Sequence, residues 1–382
     1  MKPRILLLSQ EVHPIPPVKG AAVEQWIAEV ARRLSKYEAH VISVPHPQRP
    51  DNEVEHGVHF HRIRVGKIYN RIFRKISRLD PWPYSRRILG WIKNVNPAVI
   101  HIHNAPGLVD AIAAGAGRAK IILHMHNEKS DPVCTRIDAL VGCSAYIRDW
   151  FRDRRIDATQ FNVLANGVDT RRFSPERRGS DSLLVRARHG IPPGRFVLLY
   201  AGRISPEKGP DLLVEAMRGL DGSKFHLVLA GEWPGGDPAK SDRADFAMSL
   251  SNAIQGLPIT IIDSVSPDEM PRIYDLGDLL VVPSRFEEPF SMAAIEAMAS
   301  GVPVLALRKG GMVEYMVDRH NAVLLGGSAS AAQLADTIRA LENNGALRAH
   351  IAGNARKLVE DRFTWEHVAA QTETLYEQLT RS

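Results

Sequence analysis

Two carboxylates eight positions apart, in Glu288-Pro-Phe-Ser-Met-Ala-Ala-Ile-Glu296, are the residues of this chain best placed to do chemistry. Leu279-Leu-Val-Val-Pro-Ser284 ahead of them reads as a buried parallel strand, and Ser291 to Ser300 reads as a helix stopped at Gly301. A strand that feeds a helix through a short polar loop leaves backbone N–H groups free at the helix start, where an anionic ligand can sit. A carboxylate repels phosphate, so Glu288 at the loop mouth and Glu296 in the helix must grip another part of such a ligand, and sugar hydroxyls fit. Taken alone, the segment is equally a helix start with acids near its positive dipole end.

A second constellation lies in Gly202-Arg-Ile-Ser-Pro-Glu-Lys-Gly209, directly after the apolar run ending at Ala201. Gly202 followed by Arg203 and Lys208 suits a diphosphate clamp, because Arg offers a planar fork and Lys a mobile point charge. The bland alternative is two surface cations on a loop. Gly310-Gly311 before Glu314, and Gly20 with Ala21 at the start of the helical pattern Ala21–Leu34, are strand-to-helix turns where backbone can come close to a ligand. Such turns are also common as plain geometry. His101 with His103, and His124 with His126, share one face of their strands. No carboxylate cluster converges on them in sequence, so the expectation is that one or two line a site while the others pack, with no metal. The chain contains no Asp-x-Asp pair of the kind that holds a divalent ion against a sugar nucleotide. Gly115-Ala-Gly117 precedes a strand, where a phosphate loop follows one, and is set aside.

Alternating elements must carry these residues. Strand-like runs fall at Ile5–Ser9, His40–Val44, Val58–Ile63, Val99–His103, Lys120–His126, Ala139–Cys143 and Phe161–Ala165, with helical patterns between them. The alternation pauses and then restarts with Phe196–Gly202, Phe225–Ala230, Ile259–Asp263, Leu279–Ser284, Val302–Ala306 and Ala322–Leu325. The expected fold class is α/β, with two doubly wound Rossmann-like domains facing across a cleft. Expected boundaries are 1–168 for the first domain, 169–194 for a linker and 195–363 for the second domain. A last helix, 364–382, is expected to return to the first domain.

With 382 residues, 44% hydrophobic and 24% charged, the chain suits two globular domains and excludes disorder as a main theme. No apolar run approaches the ~18 to 20 residues that span a bilayer, and the short run at Arg4–Leu8 lacks the features of a signal peptide. The two cysteines, Cys134 and Cys143, give no disulfide framework and are expected as free buried thiols in a reducing cytoplasm. The net charge is +6, yet His59 to Lys93 holds ten Lys/Arg against Asp80 alone. Ile68, Tyr69, Ile72, Phe73, Ile76 and Leu79 interleave with these cations at helical spacing. Arg62–Lys93 is therefore a candidate contact for an anionic membrane surface or acceptor, or else a solvated helix face. No nucleic-acid motif accompanies the charge.

In this order and spacing the motifs resemble the family 4 retaining glycosyltransferases, which have the GT-B fold, and the resemblance runs over nearly the whole chain. Glu288 and Glu296, with Phe290, match the family's E-x7-E element. Arg203 and Lys208 match its cation pair, Gly310-Gly311 its donor-domain glycines, and Asn166-Gly-Val-Asp169 the motif closing its first domain. His126 matches the histidine that faces the transferred sugar, and Gly20 the first glycine of the N-terminal loop. Ala21 and Ser291 stand where the family has glycine, and Asp263 where glycine is common.

The resemblance implies transfer of a sugar, without metal or other cofactor, from a nucleoside-diphosphate donor (UDP favoured) to a hydroxyl of a glycan or lipid-linked acceptor. It implies that Arg203 and Lys208 neutralise the diphosphate, Glu288 holds the sugar, Glu296 the ribose, and His126 the sugar on the acceptor side. Gly20, Gly202, Phe290, Ser291, Gly310 and Gly311 would complete the donor site, with Ala21, His103 and Asn166 on the acceptor side. Replacing Arg203 or Lys208 by Ala is then expected to cut turnover and leave the fold untouched. The protein is expected in the cytoplasm, peripheral at the inner membrane face. A nucleotide-sugar epimerase of the same architecture and a sugar-nucleotide binding protein without turnover remain as alternatives, separable by nucleoside diphosphate release with and without acceptor.

Overall fold

The protein is described by a computed structural model over residues 2–18, 20–69, 71–72, 80–129, 131, 133–178, 181–233, 241–263 and 265–381. It divides into two compact units, the first formed by Met1–Gly167 with Trp365–Ser382 and the second by Val168–Thr364.

The first strand, β1 (Arg4–Ser9), sets the frame of the first unit. Ile5, Leu6, Leu7 and Leu8 are all fully buried, so neither face of this strand meets water, as a central parallel strand requires. Around it lie β2 (Glu38–Ser43), β3 (Asn52–Glu55), β4 (Val58–Arg62), β5 (Val99–His103), β6 (Lys120–Met125), β7 (Ile137–Gly142) and β8 (Ala158–Val163). Their order across the sheet is β3-β4-β2-β1-β5-β6-β7-β8. All neighbours pair in parallel except β3 and β4, which pair antiparallel. β3 is absent from the expected strands because Asn-Glu-Val-Glu carries one apolar residue and lies at the sheet edge. The helix Trp365–Arg381 closes this unit, placing Trp365, Val368, Leu375, Tyr376 and Leu379 in one core with β1 and the helix Ala22–Ala31.

The second unit repeats the logic with six strands, β9 (Phe196–Ala201), β10 (Phe225–Gly231), β11 (Ile259–Asp263), β12 (Leu279–Val282), β13 (Val304–Leu307) and β14 (Val323–Leu325). They run in the order β11-β10-β9-β12-β13-β14, every pair parallel. Among the parallel strands of each sheet the order reverses once, between β1 and β5 in the first and between β9 and β12 in the second. Loops leaving the carboxyl ends of the strands on either side of such a reversal splay apart, and ligands of open α/β sheets bind there. Arg203 and Glu288 follow β9 and β12; His103 ends β5.

Several expectations are corrected. The stretch 169–194 is not a free linker: it carries the helix Asp181–Arg188, and Arg186 reaches across to pair with Asp278 at 2.8 Å within the second unit. The expected basic helix falls partly outside the described residues, since residues 73–79 are among those not described. Arg62 cannot serve a membrane, because its side chain is fully buried and pairs with Glu53 at 2.6 Å; Arg64 is held by both oxygens of Asp51. Cys134 is exposed, with its amide on Asp110; Cys143 is buried as expected. Among the described residues, no helix is long and apolar enough to cross a membrane.

Candidate active site

In the second unit, Glu288 is the hub. It is 6% exposed and receives Lys208 Nζ at 2.7 and 3.0 Å, together with the Ser284 hydroxyl at 3.1 Å. Lys208 also lies over the Phe286 ring, 4.8 Å from its centroid. The geometry therefore joins the two sequence constellations into one cluster. Lys208 neutralises a buried carboxylate, so the expectation that its replacement by Ala leaves the fold untouched is revised for this residue. Arg203 differs. It is exposed, and among the described residues its guanidinium makes no hydrogen bond or ion pair. Its backbone carbonyl accepts from Tyr200 Oη at 2.6 Å, which fixes the chain at that point, and Gly202 passes so close to Gly231 that a Cβ on the latter would lie 1.9 Å from the Gly202 oxygen.

Residues that the sequence reading passed over lock these loops. Arg285 clasps both oxygens of Asp211 at 2.6 and 2.7 Å and donates to the Pro206 carbonyl, tying the Lys208 loop to the Glu288 loop. Gly209 lies at φ +69°, and a Cβ there would meet the Pro283 oxygen at 2.2 Å. Gly310 and Gly311 serve the same end. The Gly310 amide donates to Glu287 Oε2 at 2.6 Å and the Gly311 amide to the Glu288 carbonyl at 2.8 Å. A Cβ on Gly310 would stand 2.4 Å from the Glu288 carbonyl oxygen. The close approach that demands glycine is thus to the Glu288 backbone.

Phe290 is 4% exposed, and its ring packs against Tyr315 and Phe363 at 5.2 and 5.5 Å. Its ring is core, and it acts by positioning the loop. Ser291 sits at φ +71°, a left-handed conformation costly for any residue with a Cβ. Its hydroxyl caps the helix Met292–Ala299 by accepting from the Ala294 amide at 3.4 Å. Glu296, on that helix, accepts from Tyr274 Oη at 2.8 Å. Burial pushes its pKa up to about 7, opposed by the Tyr274 hydrogen bond and the charge of Arg172.

In the first unit, Gly20 is exposed, has ordinary φ, and has nothing within 4 Å of where a Cβ would stand. No neighbour among the described residues requires glycine there. Ala21 is the N-cap of the helix Ala22–Ala31 with no side-chain cap, leaving that helix start to other partners. His103 is fully buried and its Nδ1 lies 3.3 Å from His126 Nε2; the His126 amide donates to Asn104 Oδ1 at 3.3 Å. Burial lowers the pKa of His126 to about 3, with the Asn166 side chain opposing, so the ring is neutral at pH 7. Asn166 is 5% exposed. Two groups went unnoticed in the sequence. Glu24 is 3% exposed, with its pKa raised by burial, and Lys129 donates to Gln10 Oε1 and the Asn104 carbonyl at 2.9 and 2.7 Å. Glu24 looked like an ordinary first-turn acid, and only its place on one helix face with buried Ile27, Ala28 and Ala31 could have marked it.

The chain is 35% identical to the lipopolysaccharide 1,2-N-acetylglucosaminetransferase of Salmonella typhimurium, covering 97% of each protein. The protein belongs to the family 4 glycosyltransferases. Residues 23–172 match the family described as Glycosyltransferase Family 4, and residues 182–358 match Glycosyl transferases group 1. Spore coat protein SA of Bacillus subtilis is 26% identical to this transferase over 98% of its chain and 99% of the relative. Among solved structures, sucrose-phosphate synthase from Thermosynechococcus elongatus superposes with a TM-score of 0.78 at 20% identity, covering 99% of each chain. HepE of Anabaena, solved with UDP-glucose, gives 0.77 at 20% identity over 98% of this transferase and 100% of HepE. These likenesses make the fold GT-B, and the protein is an enzyme that transfers glycosyl groups.

Proposed function

We propose that this glycosyltransferase moves a sugar from a nucleoside-diphosphate donor, UDP-N-acetylglucosamine in the first instance, to a hydroxyl of a lipopolysaccharide-type glycan or lipid-linked acceptor, with retention and without a metal. The lipopolysaccharide relative supports the acceptor class and the sugar, and the UDP-glucose of HepE supports the base. The observation that carries the reading is the Lys208–Glu288 pair after β9 and β12, with exposed Arg203, whose guanidinium has no partner among the described residues, on the same β9 loop. Cations fixed at that position stabilise the charge that builds on a departing diphosphate, the task a divalent ion performs elsewhere.

In this reading the bond from the anomeric carbon to the phosphate oxygen breaks and its electron pair leaves with the diphosphate. The acceptor oxygen bonds to the anomeric carbon on the same face, and its proton passes to the departing phosphate oxygen. Arg203 binds the diphosphate first because no partner among the described residues competes for it. Lys208 shares itself between phosphate and Glu288, so Glu288 is released toward sugar hydroxyls and the carbon's developing positive charge. Glu296 takes the ribose hydroxyls. Neutral His126 contacts the sugar.

The test is UDP release from UDP-N-acetylglucosamine with and without a truncated lipopolysaccharide acceptor, in EDTA and in its absence. Acceptor-dependent release that survives EDTA, with an α-configured product by NMR, is expected. Interconversion of sugar nucleotides without acceptor would mean an epimerase, and activity abolished by EDTA and restored by manganese would refute metal independence.

A further inference from the structure

Beneath His126 the first unit holds a group of histidines to which the proposed transfer assigns no step, His103 among them, expected on the acceptor side but fully buried. His101 and His103 on β5 and His124 on β6 are each fully buried, His103 being the register partner of His124. Trp26 covers them, its ring 5.5, 4.7 and 4.9 Å from theirs. Burial holds the pKa values of all three far below the ordinary histidine range, so they are neutral with lone pairs available.

The hydrogen bonds around them are incomplete in a patterned way. His101 Nδ1 is engaged by Tyr376 Oη at 2.7 Å and His103 Nδ1 by His126 at 3.3 Å. The Nε2 atoms of both, and both ring nitrogens of His124, are buried without a hydrogen bond of good geometry, the Leu164 backbone alone lying near enough to act on His124. An unmet buried polar atom costs about 1–3 kcal/mol, so several side by side call for an occupant. His101 and His103 thus share the pattern of metal-bound histidines, one nitrogen oriented by an outer partner and the other left for an ion.

We propose that His101, His103 and His124 bind one imidazole-preferring transition-metal ion inside the first unit, zinc being the probe of choice. One nitrogen from each ring already lies within 4.8 Å of the others. Zinc–nitrogen bonds of ~2.0–2.1 Å in a tetrahedral shell place ligand atoms about 3.4 Å apart, so modest ring rotations close the set. A hydroxide in the fourth position lowers the net charge that three neutral ligands leave. The ion pins β5 to β6 under the loop that carries His126 and takes no part in the transfer. A second cluster, Glu38 with His40 and His59, is a weaker candidate. Its carboxylate already receives Arg4 at 3.2 Å and His40 at 3.0 Å.

The experiment uses the full chain without a histidine tag, unfolded and refolded with zinc, with cobalt, or with chelator. About one equivalent of zinc should stay with the folded protein through gel filtration, and the zinc form should melt higher than the chelator form. The cobalt form should show the intense visible absorption of a tetrahedral ion. The ion should persist in His59→Gln and be lost in His124→Gln with the circular dichroism retained. Protein that emerges from zinc refolding metal-free, a six-coordinate cobalt spectrum, or loss of the ion in His59→Gln would overturn the proposal. These wild-type and His59→Gln results decide the matter even if His124→Gln does not fold.

Discussion

Arg203 and Lys208 look interchangeable in the sequence, yet the structure predicts different consequences for losing each. Lys208→Ala removes the cation from Glu288, whose side chain is 8% exposed against 22% for Lys208. Stripping one partner from a fully buried pair costs ~3–5 kcal/mol, because the other charge is left without compensation. Here the lysine is partly open to water and the Ser284 hydroxyl remains, so roughly 2–3 kcal/mol is expected. For a unit of this size each kcal/mol moves Tm by ~2–4 °C, giving a drop of about 4–12 °C. Arg203→Ala breaks no ion pair or hydrogen bond of its side chain among the described residues and should melt within a degree or two of the parent (about ±0.5 kcal/mol). Both should lose roughly 100-fold or more in turnover, the scale of one transition-state donor. Adding Glu288→Gln to Lys208→Ala should recover most of the lost stability and none of the activity. The assay pairs differential scanning fluorimetry without donor with UDP release. Equal melting of the two single variants, or a double variant less stable than Lys208→Ala, would refute the argument that Lys208 neutralises a buried charge.

Three further outcomes are expected. Ser291→Gly should raise stability by roughly 0.5–1 kcal/mol, left-handed strain outweighing the lost cap and the added chain entropy; Ser291→Ala, which keeps the strain and loses the cap, should melt below the parent. Glu296 carries a pKa raised to about 7 from 4.5, so between these values the unfolded chain ionises first and stability falls as pH rises, by up to about 3 kcal/mol. Glu296→Gln should flatten urea-unfolding stability across that window, and an unchanged slope would remove the carboxyl from the account. Exposed Ile68, Ile72 and Trp82 beside Arg71 and Arg86 should draw the protein to anionic vesicles in flotation assays. At ~1 kcal/mol per cation, Arg71→Glu with Arg86→Glu should weaken binding tenfold or more, and equal binding to neutral vesicles would reject the idea.

The sequence exposed what is local and periodic. The buried parallel strands could be read because both of their faces are apolar, as in Leu279–Val282. β3, polar and at the edge, could not. The glutamates and cations announced themselves by type and spacing, but the Lys208–Glu288 pair spans 80 positions and depends on β9 and β12 lying side by side. Arg62 counted as surface charge until the fold buried it on Glu53. The departure from glycine at Ser291 was visible, whereas its positive φ, which explains why glycine suits the position, belongs to the folded backbone.

The helix Trp365–Arg381 has a consequence for how the protein is made. The core of the first unit needs Trp365 and Tyr376, but the ribosome reaches them only after the whole of Val168–Thr364. At ~5–20 residues per second, those 197 residues take roughly 10–40 s. During that time β1 and its neighbours wait with an apolar flank uncovered, while the second unit, contiguous in sequence, has all its parts and can fold first. The nascent first half is therefore a natural client for chaperones. Fusions or truncations at the carboxyl end should harm the yield of soluble protein far more than changes of similar size in an exposed loop of the second unit.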